Sequence, residues 1–370
     1  MNGSIRIARI WGIPIGLHPS WFLIFALVTW SLASGFFPGQ YPLSSTWFVW
    51  LLGLLTSLLF FGSVLAHELG HAYIALRNHI PVRSINLFFF GGLAHIGREP
   101  RLPGEEFRIA IAGPLVSLGL ALFFQVISLA EEALPWLSVS SAYLARINLL
   151  LALFNLIPGF PLDGGRVLRA LVWWATRSYS RATRFASFSG QMIAFGFIGF
   201  GLVSVFSGNF LNGLWLGLIG MFLQNAAAGA AQQGQIQEQL GGVTVEQVMS
   251  RDVAVVPSQM TLDRLVQYNA SGQWVHNFLV EENGRLPGLL TWRDIGAVPR
   301  QIWYRVTAGQ VMKPWQGWNP VTPDTSLLSA LQQMEEANQA LIPVMQGPEV
   351  AGLLSREQVL RYLRLHGQAA

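Results

Sequence analysis

From Trp47 to Ala66 the chain runs twenty residues without a charge, and it then reads His67-Glu68-Leu69-Gly70-His71. No other stretch constrains the fold as much. A helix rises about 1.5 Å per residue, so ~20 apolar residues cross the ~30 Å hydrocarbon core of a bilayer. The pentad that follows has the H-E-x-x-H spacing. Two histidines four residues apart share one helix face and can grip one metal ion. A hydrolytic motif joined to a membrane helix points to chemistry on peptide bonds within or beside the bilayer. The competing reading is a soluble helix that begins after the span. The apolar continuation Ala72-Tyr73-Ile74-Ala75-Leu76 speaks against it.

The sequence predicts six spans in all. The first runs from about Trp21 to Phe37 and the second from about Trp47 to Leu76, with the pentad in its last third. The third covers about Phe107 to Leu129 and the fourth about Ser141 to Ile157. The fifth and sixth share the uncharged stretch Phe185 to Gln237, which the turn signal Ser207-Gly208-Asn209 divides. Residues 1–242 carry 13 Arg and 8 Asp/Glu, whereas the shorter segment 243–370 carries 10 Lys/Arg and 11 Asp/Glu. The first part therefore reads as membrane-embedded and the second as a soluble domain.

Basic residues alternate between loops. Arg6 and Arg9 precede the first span, Arg77, Arg83, Arg98 and Arg101 follow the second, and Arg166, Arg169, Arg177, Arg181 and Arg184 follow the fourth. The loop after the third span has Glu131 and Glu132 and no basic residue. By the positive-inside rule both termini lie in the cytosol and the pentad lies toward the cytosolic face. The expected location is a multi-pass protein of the cell (plasma) membrane. The net charge of +4 is explained by this topology and gives no reason to expect nucleic-acid binding. The apolar stretch after Arg9 lacks a clear small-residue cleavage site, so it reads as a retained span and not as a removed signal peptide.

The chain has no Cys, so a metal site must be built from His, Asp or Glu. His67 and His71 are the first two candidate ligands for Zn²⁺, one ion per chain. Glu68 is placed to take a proton from a water held there. A catalytic zinc needs a third protein ligand. Asp163 is the best candidate, being the only Asp in the first 242 residues. It sits in Asn155-Leu156-Ile157-Pro158-Gly159-Phe160-Pro161-Leu162-Asp163-Gly164-Gly165-Arg166, where prolines bend the chain and glycines permit close approach. Its alternative role is to cap the next helix. His95, His79 and His18 are weaker ligand candidates. Asn155 has two open roles, donating to a developing oxyanion or holding the bent segment by a structural hydrogen bond.

The segment Ile85 to Ile96 is too short to span a membrane as a helix. Its aromatic and β-branched residues around Gly91-Gly92 predict a hairpin or re-entrant loop. Its edge could take up an extended substrate by strand addition, with Gly91 and Gly92 as candidate substrate or oxyanion contacts.

An Ala, Gln and Gly stretch at 231–242 reads as a linker. Two similar α+β units follow, at 243–298 and 306–368. Their period is about 63 residues, from Val248-Met249 to Val311-Met312.

The combination of HELGH in the second span with N-x-x-P-x-x-P-L-D-G-G-R after the fourth resembles the site-2 protease family of intramembrane metalloproteases. Phe90-Gly91-Gly92 and Ala112-Gly113-Pro114 are also similar to family features, and the resemblance covers about residues 5–230. It implies His67, His71 and Asp163 as zinc ligands and Glu68 as catalytic acid/base. It also implies as substrate a transmembrane segment of another protein, cut inside the bilayer. One departure is Ser117, where the family motif often has Asn. Residues 243–368 resemble a pair of CBS modules, a Bateman-type tandem. That resemblance implies adenine-nucleotide binding, with Thr291 and Asp294 matching the ribose-binding pattern. The second unit has Gln358 where that pattern has Asp. It also leaves open a tandem that only dimerises.

The expected whole is an α-helical polytopic membrane protein with about six transmembrane helices and a re-entrant hairpin over 1–230, followed by a soluble α+β CBS tandem. The expected function is zinc endopeptidase activity on a membrane-protein substrate. The alternative is a CBS-gated channel or transporter, which would normally show inverted repeats or paired broken spans. None is found in the sequence.

Overall fold

The computed structural model describes residues 4–41, 45–89, 91–129, 135–240, 242–251, 253–270, 277–283, 285–314, 318–337, 339–347 and 349–367. Phe90, Glu131 and Glu132 lie outside the described residues. The chain divides into two compact units, Met1–Gly234 and Gln235–Ala370.

The first unit opens with a hairpin of β1 (Ile5–Ile10) and β2 (Ile13–Leu17). Trp11 and Gly12 join the strands, with φ of 50° and 80°. Two left-handed residues in a two-residue connection match the twist of the strands they join. Six helices long and apolar enough to cross a membrane follow. They are α1 (Pro19–Gln40), α2 (Thr46–Arg77), α3 (Pro103–Ser128), α4 (Pro135–Asn155), α6 (Tyr179–Phe206) and α7 (Phe210–Leu240). Between α4 and α6 lies the shorter amphipathic α5 (Asp163–Thr176). The turn at Ser207-Gly208-Asn209 separates α6 from α7 as expected, with Gly208 at φ 88°. Large apolar side chains face outward along these helices, Phe206 at 87% and Leu211 at 79% exposure. In water such a surface would be an aggregation liability, whereas in a bilayer it meets lipid.

The pentad lies on the same helix as the span, because α2 runs unbroken from Thr46 to Arg77. The 85–96 segment forms β3 (Val82–Phe88) and β4 (Gly91–Ile96). They join the N-terminal hairpin in one sheet of order β1-β2-β3-β4. The β2–β3 pairing is parallel and the others are antiparallel, with Ile85 opposite Ala94 and Leu87 opposite Gly92. β4 is thus an edge strand. Buried Ile13, Val82 and Ile85 of the sheet pack on Ala72 and Ala75 of α2 and Ile109 of α3. This core fixes the sheet against the end of α2 that carries the pentad.

The division between the two units falls within the 231–242 stretch, after Gly234, and the chain there is helical, α7 continuing through Leu240. Its Ala and Gln residues are good helix formers, and they outweigh its few glycines.

The second unit contains β5 (Ala254–Pro257), α8 (Leu262–Ala270), β6 (Asn277–Glu282), β7 (Arg285–Thr291) and α9 (Trp292–Gly296). A second set follows with α10 (Ala308–Val311), β8 (Lys313–Pro314), α11 (Leu327–Glu336), β9 (Leu341–Gln346), β10 (Glu349–Ser355) and α12 (Arg356–Gly367). The leading segment of each repeat crosses to the other. Lys313 pairs with Leu289 on β7, and Ser250 bridges Leu353 on β10. Ser250 and Lys313 are one repeat period apart, so the exchange is reciprocal.

Candidate metal centre

Helix periodicity places His67 and His71 on the buried side of α2, one turn apart. α5 brings Asp163 to them at its first residue. Asp163 Oδ2 lies 3.1 Å from His67 Nε2 and 3.1 Å from His71 Nε2, and the two Nε2 atoms are 3.2 Å apart. These three residues are the one group among the described residues whose His, Asp or Glu ligand atoms converge in this way. The N-cap of α5 is Leu162 and not Asp163, whose carboxylate points at the imidazoles.

The far nitrogens fix the rings. His71 Nδ1 lies 2.7 Å from the carbonyl oxygen of Ile109. A carbonyl only accepts, so Nδ1 carries the proton and Nε2 presents its lone pair. His67 Nδ1 lies 2.9 Å from Ser117 Oγ. Both partners come from α3, which approaches α2 closely at Gly113. A Cβ at Gly113 would stand 2.2 Å from His71 Nε2 and 2.7 Å from His67 Nε2.

This set fits a zinc ion. Three ligand atoms converge on one point, where a cation would offset their mutual repulsion. Tetrahedral zinc with ~2.0–2.1 Å bonds keeps its ligand atoms about 3.3 Å apart, close to the spacing here. Two imidazoles and a carboxylate are also a donor set of catalytic zinc sites, in which a fourth position stays open.

Glu68 turns from the same helix toward the sheet. A Cβ at Gly92 would lie 2.3 Å from Glu68 Cγ, so only glycine lets β4 approach this carboxylate. Gly91, at φ 132°, begins the strand. Asn155 ends α4 and donates through Nδ2 to Leu151 O at 3.0 Å, within its own helix. The weaker histidine candidates stand elsewhere. His18 caps α1, accepting from Ser20 N–H at 3.2 Å. His79 lies just past α2 with φ 56°. His95 is on β4, with Nδ1 3.4 Å from Ser84 Oγ.

Sequence reasoning missed a buried ion pair that ties α5 to α3. Arg169 Nε donates to Glu106 Oε1 at 2.7 Å, and Arg169 Nη2 donates to the same oxygen. The guanidinium is packed between the rings of Phe160 and Tyr179, 4.9 and 4.7 Å from their centroids. The Tyr179 hydroxyl donates to Glu99. Among the described residues Glu106 Oε2 is buried without a partner. These residues are 63 and 80 positions apart, so no local spacing reveals them.

In the second unit, Thr291 and Asp294 form a capping box at the start of α9. Asp294 Oδ2 accepts from Thr291 N–H at 3.1 Å, and its Oδ1 accepts from Lys313 Nζ at 2.6 Å. The second repeat closes the same way, with Gln358 Oε1 accepting from Ser355 N–H at 2.7 Å.

The sequence model of peptidase family M50 matches residues 55–134 and 134–198, a range that includes all three converging residues. The chain is 36% identical over 368 residues to the protein sll0528 of Synechocystis sp., covering 98% of this chain and 96% of that one. The chain belongs to peptidase family M50. It is a membrane metalloprotease of that family with a C-terminal CBS tandem, the CBS domain model matching 245–296 and 317–365. It is also 33% identical over 373 residues to Rip3 of Mycobacterium tuberculosis, covering 99% of this chain and 94% of that one. Both relatives are named as zinc metalloproteases. A solved structure, the site-2 protease from Methanocaldococcus jannaschii, is 32% identical and covers 62% of this chain and 95% of that one, with a TM-score of 0.44.

Proposed function

We propose that the protein is an intramembrane zinc endopeptidase that hydrolyses a peptide bond in or near the transmembrane segment of another membrane protein. The observation that carries this reading is the convergence of His67, His71 and Asp163 within 3.2 Å, beside a carboxylate on a helix long enough to span a bilayer. His67, His71 and Asp163 would hold one Zn²⁺ per chain, and zinc held there would supply Lewis acidity toward a peptide carbonyl and a bound water.

The chain's own residues do the rest. Ser117 and the Ile109 carbonyl accept from the Nδ1–H groups and keep both Nε2 lone pairs turned inward. Glu68 takes the proton of the attacking water and passes it to the leaving amide nitrogen. β4 is an edge strand, and its outer backbone groups pair with an unwound substrate segment, aligning it next to Glu68 at Gly91 and Gly92. Asn155 would help the developing oxyanion only after releasing Leu151 O.

The loop arginines support cytosolic termini, and the host membrane in this reading is the plasma membrane. The protease region ends near 230, and the CBS modules occupy 243–298 and 306–368. The tandem regulates the protease by binding an adenine nucleotide at Thr291 and Asp294 and supports homodimers. Such a ligand must share or displace Lys313.

The test is cleavage of a model single-span substrate by the full chain in proteoliposomes. Glu68→Gln should bind substrate and leave it intact. Cleavage by that variant at the wild-type rate would remove the mechanism.

A further inference from the structure

We propose that the membrane boundary at the end of α5 carries a binding site for the headgroup of an anionic phospholipid. A cleft of about 600 Å³ lies there, lined by Arg101, Leu102, Trp173, Trp174 and Arg177 among others. Arg101 is two residues before α3 and Arg177 two residues before α6. These are the third and fifth spans. Odd-numbered spans begin on one side of the membrane, so both arginines lie on the same side, just before the helices that enter it.

The chemistry of the cleft selects its ligand. Neither guanidinium forms an ion pair among the described residues. The nearby Glu105 carboxylate accepts from the backbone N–H of Arg101 at 3.0 Å. Two guanidiniums offer forked donors that match phosphate oxygens. Beside them Trp174 is 77% and Leu102 60% exposed. An indole and an aliphatic chain at a membrane boundary lie at the junction of headgroups and acyl chains. A free phosphate would use the arginines and leave these apolar groups in water, whereas a phospholipid satisfies both. Basic pockets between spans are a recurrent way of holding anionic lipids.

The cleft is also held in shape. Arg177 adopts φ 53° and its N–H donates to Trp173 O at 2.8 Å, closing α5. Trp173 packs edge-on against Tyr179, with 5.0 Å between ring centroids. The Arg169–Glu106 pair anchors the same helix to α3. α5 therefore begins at Asp163 and ends at this cleft.

The test uses the purified full chain in detergent, titrated with phosphatidylglycerol, phosphatidylcholine or inorganic phosphate, with bound lipids counted by native mass spectrometry. The wild type should retain phosphatidylglycerol in preference to phosphatidylcholine. Arg101→Gln/Arg177→Gln should weaken that retention on the order of thirtyfold, since each arginine near anionic lipid contributes a several-fold effect. Arg6→Gln/Arg9→Gln removes the same charge from β1 and should change retention little. Trp174→Ala should weaken phosphatidylglycerol while sparing what little phosphate binds. Equal retention by the cleft variant and the wild type overturns the proposal. So does equal loss in the β1 control, or displacement of lipid by equimolar phosphate.

Discussion

Gly113 and His71 are so close that a single added methyl would stand 2.2 Å from the imidazole Nε2. The α2–α3 interface is thereby cut to fit the two histidines. Gly113→Ala should push both rings off the shared point with Asp163. Zinc affinity should fall at least ~100-fold, the upper end of effects from disturbed ligand orientation. Chelator competition measures this, and circular dichroism should show the helices retained.

Ser117 stands where the related motif often carries Asn, and its hydroxyl is 2.9 Å from His67 Nδ1. Ser117→Ala leaves that nitrogen without its acceptor and frees the ring to rotate. Zinc affinity should drop about 10–100-fold, as for other groups that orient a ligand. Affinity equal to wild type would show that packing alone holds the ring.

Glu106 is fully buried and pairs with Arg169, which is 8% exposed. Removing one member leaves the other charged and dry, a loss of about 3–5 kcal/mol. Glu106→Gln and Arg169→Met should each lower the thermal unfolding midpoint. The apolar double variant Glu106→Leu/Arg169→Met should recover most of the loss, because it removes both charges together.

How far the molecule was legible from its sequence follows from the range of the interactions. The six spans and the pentad are local patterns of charge and period. α4 and α6 each begin six residues before the expected start, at Pro135 and Tyr179, because turns carrying Ser or Arg precede their apolar runs. Asp163 stood out as the one Asp in a membrane region. The β1–β2 hairpin went unread because its strands are short and take their meaning from β3, some seventy residues on. The connection at 231–242 was legible as a boundary, which falls after Gly234, but its helical form was not, because Ala and Gln carry the helix past the glycines. Ser117, Glu106 and Arg169 carry no local signature. Their roles arise only when α3 packs on α2 and α5.

The CBS unit contributes a pH dependence. Partial burial raises the Asp294 carboxyl, but the Lys313 ammonium and Thr291 outweigh it and hold the carboxyl below its usual range. A folded-state value below the unfolded one stabilises the protein above the unfolded value, about 3.9, and that contribution is lost as pH falls through the folded value. Hydrogen exchange of the amides at 285–296 should therefore quicken in wild type as pH drops below ~4, after correction for intrinsic rates. Asp294→Asn should exchange faster than wild type at neutral pH and converge with it in acid.

In the proposed centre His67, His71 and Asp163 jointly hold one zinc, and Glu68 does chemistry without holding it. Metal analysis of the purified wild type, Glu68→Gln and Asp163→Ala proteins tests this directly. The prediction is close to one zinc per chain in the first two and a large deficit in Asp163→Ala. A full complement of zinc in Asp163→Ala would contradict the centre described here.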